Sequence, residues 1–305
     1  MKKEIEKDFG RVLLPLITVF QKDLSVDYEL TRKAARFVVE NGLCDAIIVS
    51  GTTGEFYTLG LDERRRLFEK IKEELDDEVP LIAGTGAIFT KDAVKLTKTA
   101  ERLGFNAVMV VTPYYCRPEQ EGLYTHFKTI AENTTLPVMI YNIPLFSGVN
   151  LLPETLASLA KIENIVAIKD EAGLNPLQTT AYIKAAEGKI AVYSGDDNMV
   201  LQVLAQGGIG VVSGGAHVVG DLIKFMINQF IEGNIMSATE IYHSLMDLYI
   251  AFHGNGTRVN PTPLVKAAFE MVSGIPCSLP RPPLTSASDE ERSRLRRVLK
   301  TLGKL

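Results

Sequence analysis

The chain has 305 residues, 46% of them hydrophobic and 23% charged, with a formal net charge of -4 at pH 7. That balance is the profile of an ordinary globular protein, and a chain this long buries roughly three quarters of its unfolded surface without needing a disulfide or metal staple. A small negative charge with no lysine or arginine stripe fits neither nucleic acid nor an anionic membrane surface, and no apolar run reaches the roughly 18 residues of a membrane span.

The first nine residues, Met1 to Phe9, are charged throughout and lack the apolar core of a signal peptide. Three scattered cysteines, Cys44, Cys116 and Cys277, form no CxxC pair. They suit a reducing compartment and argue against a disulfide framework or a zinc site, so the expected location is the cytoplasm.

From there the chain alternates short apolar runs with amphipathic stretches. The runs are Val12–Thr18, Ala46–Ser50, Leu81–Gly84, Ala107–Thr112, Val138–Asn142, Val166–Lys169, Ile190–Ser194 and Gly210–Ser213. Each is continuous rather than alternating in hydropathy, as expected of parallel strands covered on both faces. Ser25 and Asp27 precede a helical stretch over Tyr28–Glu40, and Asn41-Gly42 stops it; Thr90 precedes Lys91–Leu103, and Gly104 stops that one.

Eight strand–helix units predict an α/β fold, a closed (β/α)8 (TIM) barrel. Further helices are expected at about Asp221–Glu232, Met236–Phe252, Thr262–Val272 and Asp289–Leu302, forming a C-terminal helical extension. The predicted division is therefore a barrel over 1–220 and a helical region over 221–305 packed on it. The basic end, Arg292 to Lys304, carries Leu295, Val298, Leu299 and Leu302 at helical spacing and reads as a solvated helix face. A doubly wound nucleotide fold is the competing architecture. It lacks its phosphate fingerprint, since Gly208-Ile-Gly210 is followed by Ser213 where a third glycine would sit.

Catalytic side chains of such barrels cluster at the C-terminal strand ends. Those ends carry Gly51-Thr52-Thr53-Gly54-Glu55, Pro113-Tyr114-Tyr115, Tyr141-Asn142-Ile143-Pro144, Ile168-Lys169-Asp170 and Ser194-Gly195-Asp196-Asp197. Lys169 closes an apolar strand, where an ammonium is costly; a neutral amine there could attack a carbonyl and form an imine. The plainer alternative is a strand-end lysine reaching solvent or paired with Asp170 or Glu171. Tyr141 ends another apolar strand, and its phenol could shuttle the protons of imine formation, although a lone tyrosine is more often a core residue with a hydrogen-bonded tip. The Gly51–Gly54 loop offers N–H groups and two hydroxyls to a carboxylate, or is simply a tight strand-to-helix turn. His126, His217, His243 and His253 lack metal-ligand spacing, which argues against a zinc-dependent aldolase. No cofactor is expected beyond the covalent imine on Lys169.

These motifs, together with Leu14-Pro15-Leu16-Ile17-Thr18, Arg117-Pro118 and Gln120-Glu121-Gly122, resemble the dihydrodipicolinate synthase / N-acetylneuraminate lyase family along nearly the whole chain. The resemblance implies a homotetrameric class I aldolase that binds pyruvate as an imine on Lys169. It implies Tyr141 as general acid/base, with Thr53 and Tyr115 completing a hydroxyl relay, Tyr115 from a neighbouring subunit. Thr52 and Thr53 would hold the pyruvate carboxylate, and Gly195 and Val212 would line the site.

One position departs from the synthases. Where they usually carry an arginine for the carboxylate of aspartate semialdehyde, this chain has Phe146, which cannot make that bidentate contact. The stretch Tyr141–Val149 looks like the sugar-acid lyases, whereas Gly51–Gly54 and Pro113–Pro118 look like the synthases. Three functions follow: a pyruvate-dependent aldolase acting on a 2-keto-3-deoxy sugar acid, a 4-hydroxy-tetrahydrodipicolinate synthase of lysine biosynthesis, and a non-catalytic binding or regulatory barrel. The intact Lys169, Tyr141 and Thr53 disfavour the last, and Phe146 tilts the sequence reading towards the first.

Overall fold

A computed structural model describes residues 2–171 and 175–305, with the backbone alone for Lys2 and Lys3. Eight strands, β1 (Val12–Pro15), β2 (Ala46–Val49), β3 (Leu81–Gly84), β4 (Ala107–Val111), β5 (Val138–Asn142), β6 (Ile165–Asp170), β7 (Ala191–Ser194) and β8 (Gly210–Val212), follow one another around a closed parallel barrel. Every strand residue except Val166 is buried. That two-sided burial is why the runs read as unbroken apolar stretches.

The chain divides into two compact units, Met1–Leu13 with Pro80–Val212, and Leu14–Val79 with Ser213–Leu305. In the first, β4, β5, β6 and β7 run side by side, with one register shift against β6 between Val138 and Met139, and with Tyr141 opposite Lys169 and Lys169 opposite Tyr193. The helix Thr90–Arg102 begins on the threonine expected to precede it. The Thr90 hydroxyl lies 2.9 Å from Nδ1 of His126 on the helix Gln120–Ala131, so it ties two helices together instead of capping its own.

In the second unit, helix Tyr28–Glu40 starts as the sequence implied, the Asp27 carboxylate accepting the Leu30 N–H at 2.9 Å. The C-terminal helices are Ala216–Ile231, Ile235–Phe252, Thr262–Ser273 and Asp289–Thr301. The first begins earlier than expected because the Ser213 hydroxyl accepts the Ala216 N–H at 2.9 Å. Val219, at φ -132°, then bends the helix, so the regular helical periodicity starts only beyond it. No helix among the described residues is long and apolar enough to cross a membrane.

Candidate active site

Successive side chains of a strand point to opposite faces. Lys169 and Asp170 at the end of β6 therefore diverge, while Glu171 returns to the lysine's side. Glu171 lies one residue beyond β6, but its N–H still bonds the Asn142 carbonyl at 2.9 Å and prolongs the ladder. Asp170 turns into a polar network, accepting from Asn142 Nδ2 and Gln178 Nε2, both at 3.0 Å. Burial pushes its carboxyl up to about 6, against the pull of those two hydrogen bonds.

Lys169 is 5% exposed and sits with its Nζ 3.9 Å from the centre of the Tyr141 ring. Glu171 Oε2 joins the two, accepting the Tyr141 phenol at 2.6 Å and facing Lys169 Nζ at 3.1 Å. The dry strand end implied by the sequence thus contains a counter-ion. The ion pair of the plainer reading exists, with Glu171 as the partner, but it also includes the phenol. The sequence offered Glu171 only as an alternative to Asp170 in that ion pair; the period-two rule applied past Lys169 was the signal that would have chosen it.

Gly195, just after β7, closes this cluster. Its N–H donates to the Asp170 carbonyl at 2.7 Å, so its contribution is space. A Cβ at this position would lie 2.6 Å from Glu171 Cβ and 2.9 Å from Lys169 Cε. Asp196 follows, its carboxyl pushed up to about 7 by burial and then by the charge of Glu171, with Lys169 opposing. Val212, the last residue of β8, is buried in the same unit.

The loop after β4 carries Tyr115, 92% exposed and at φ 69°, and Arg117, exposed and at φ 46°. Tyr115 is therefore not drawn into the Lys169 cluster of its own chain. Phe146 is half-buried in the short helix Pro144–Ser147. That helix ends at Gly148, whose φ of 75° favours glycine and whose missing Cβ leaves room for the Arg117 stem, with Cγ 3.3 Å and Cδ 3.4 Å from where a Cβ would stand. Among the described residues the Arg117 guanidinium has no hydrogen bond or salt bridge. Its stem thus lies against Gly148, two residues beyond Phe146, the position where the synthases usually carry an arginine.

In the other unit Thr52 and Thr53 are half-buried on a loop largely bonded to itself: Glu55 N–H to Thr52 O at 2.9 Å, Phe56 N–H to Gly51 O at 3.3 Å, and the Thr18 hydroxyl to Gly54 O at 2.7 Å. Glu55, the last residue of the motif, anchors the loop and is fully buried. It pairs with Lys266 Nζ at 2.7 Å and accepts the Arg281 N–H at 2.8 Å, while Lys266 also donates to the carbonyls of Thr18 and Leu279. Burial drives both charges towards their neutral forms, raising the Glu55 carboxyl and lowering the Lys266 amine, and their mutual attraction opposes it. No sequence signal linked the two, since 211 residues separate them.

Among the described residues no group of three or more His, Cys, Asp or Glu side chains is placed to hold a metal ion. What the barrel gathers instead is an amine, a phenol and a carboxylate, which defines a lyase of the class I aldolase type, using pyruvate through an imine on a lysine. The chain belongs to the dihydrodipicolinate synthetase family, whose model matches residues 8–302. It is 46% identical over 293 residues to a 4-hydroxy-tetrahydrodipicolinate synthase of Desulforudis audaxviator, covering 96% of this chain and 97% of that one. A dihydrodipicolinate synthase structure from Bacillus anthracis superposes with a TM-score of 0.89 at 40% identity, over 96% of this chain and 98% of that one. A chloride-inhibited dihydrodipicolinate synthase from Acinetobacter baumannii, complexed with pyruvate, gives 0.88 at 35% identity, over 97% and 99%.

Proposed function

We propose that this chain catalyses the 4-hydroxy-tetrahydrodipicolinate synthase reaction, the function that the sequence analysis placed second. Pyruvate forms an imine with Lys169, loses a methyl proton to become an enamine, and adds through that carbon to the aldehyde of aspartate semialdehyde. The observation that carries the chemistry is the contact of one carboxylate oxygen with both Lys169 and Tyr141. The choice of aldehyde is supported by the high identity to relatives named for this reaction. It reverses the inclination towards a sugar-acid aldolase that Phe146 suggested.

The carboxylate that Phe146 cannot hold falls, in this reading, to Arg117, whose stem lies across Gly148 with its guanidinium unpaired among the described residues. A fork of donors on a neighbouring loop can serve the same anion as one on the helix itself. Thr52 and Thr53 are assigned to the pyruvate carboxylate, and Thr53 with Tyr115 to proton relay, on the resemblance. A Tyr115 that is almost wholly exposed suits service to a neighbouring copy in a homotetramer. The proposed location is the cytoplasm.

Cleavage of a 2-keto-3-deoxy sugar acid remains the second reading, favoured by Phe146 and by the acidic Glu171 and Asp196 beside the amine. A panel assay separates the two: pyruvate with aspartate semialdehyde, glyceraldehyde and N-acetylmannosamine in turn. Aspartate semialdehyde should give the highest kcat/KM; a polyhydroxylated aldehyde that turns over faster returns the aldolase.

A further inference from the structure

Imine formation has a proton requirement that the Lys169 cluster meets in an unexpected way. Between the ammonium with its ketone partner and the finished iminium, two hydrogens must leave nitrogen and arrive on the oxygen that departs as water. A group that touches both the amine and an oxygen-side donor can carry each of them. Glu171 Oε2 is such a group, 3.1 Å from Lys169 Nζ and 2.6 Å from the Tyr141 phenol oxygen. Gly195 leaves it room on the other side, since any Cβ there would strike both Glu171 and Lys169.

We propose that Glu171 is a further catalytic residue, the base that takes protons from Lys169 and returns them through Tyr141 to the substrate oxygen. In the first pass the carboxylate accepts one ammonium proton. The nitrogen lone pair then bonds to C2 of pyruvate, and the carbonyl pair moves onto oxygen. Tyr141 protonates that oxygen and is reprotonated by the Glu171 carboxylic acid. In the second pass Glu171 takes a proton from the carbinolamine nitrogen and sends it by the same route to the hydroxyl. The C–O bond then breaks, water leaves, and the nitrogen pair completes the iminium. Glu171 and Tyr141 end as they began, and no co-reactant is consumed. This rests on the imine at Lys169 but not on the identity of the aldehyde.

The competing role is a static counter-ion that merely holds Lys169 in place. Rapid mixing with pyruvate, a borohydride quench and mass spectrometry of the intact protein would follow the imine-forming rate across pH. Glu171→Gln keeps the size and an acceptor oxygen but cannot take a proton. Its rate should fall on the order of 100-fold, and the acid limb expected in the pH–rate profile of the unmodified protein should vanish. A wild-type rate, or a slower rate with the acid limb intact, overturns the proposal. If the glutamine variant does not fold, Glu171→Ala gives the same decision: added formate should restore the rate, and a folded variant indifferent to formate refutes the role. Unmodified protein that is not labelled at Lys169 would instead remove the imine itself.

Discussion

Tyr141 and Lys169 are paired across β5 and β6, and the lysine Nζ lies against the tyrosine ring 3.9 Å from its centre. The ring positions the amine, while the hydroxyl at its tip reaches Glu171. Tyr141→Phe separates these functions, because it keeps the ring and removes the proton. The variant should fold with an unchanged melting temperature and lose about 100-fold or more in turnover. Reduction with borohydride in the presence of pyruvate should still label Lys169, only more slowly. Equal turnover by the phenylalanine variant would remove Tyr141 from the chemistry.

Gly195 offers a steric test of the same cluster. In Gly195→Ala the new methyl group would press on Glu171 and Lys169 at once, at 2.6 and 2.9 Å. Glu171 Cβ sits at the root of its side chain and cannot swing clear, so the cluster must shift, and displacements of this order at a reacting centre cost heavily. The expected result is a fall of at least about tenfold in the imine-forming rate, with overpacking costing about 1–3 kcal/mol of stability in chemical denaturation. An alanine variant with unaltered kinetics would mean that Glu171 and Lys169 are not held as described.

The proposed division of the substrate carboxylate between Arg117 and Phe146 has a direct test. Arg117→Ala should raise KM for aspartate semialdehyde and lower kcat/KM by about 30-fold or more, the loss of a charge-assisted pair. Pyruvate labelling of Lys169 should be unaffected. In that background, adding Phe146→Arg should restore much of the loss. If Arg117→Ala is silent, the substrate carboxylate is held elsewhere.

His217 makes stability depend on pH. It is fully buried, its Nε2 accepting the Ile17 N–H at 3.2 Å and its Nδ1 lying 2.9 Å from the Gly214 carbonyl, an arrangement that requires neutral imidazole with the proton on Nδ1. Burial pulls its pKa down to about 4. An unfolded chain therefore binds a proton that the folded one refuses between about pH 6.5 and 4. The stabilisation is complete above that window and lost as pH falls through it, on the order of 3 kcal/mol for this group. Unfolding free energies measured from pH 7 to 4.5 should show that slope, and His217→Gln should flatten it at some cost at pH 7. His126, also pulled down to about 4 by burial, adds to the same window.

Eight strands, the barrel and Lys169 with Tyr141 were legible in the sequence for one reason. Strands covered on both faces are continuous apolar runs, so a polar residue that ends one stands out against its neighbours. Local capping was legible too where the partner was near in the chain, as at Asp27. Contacts between distant segments left no such mark. Glu55 ended a recognisable motif, yet its role as a buried partner of Lys266 depends on a helix far along the chain. Arg117 and Gly148 are thirty-one positions apart, and only folding lays the stem of one across the other. The placement of Glu171 was half visible, since period two puts it on the lysine's side; that its carboxylate touches both amine and phenol depends on the register of β5 against β6. Pattern reports which face a residue occupies, because that is set by the backbone repeat. Which atoms meet there is set by packing between strands, and only the tertiary structure decides it.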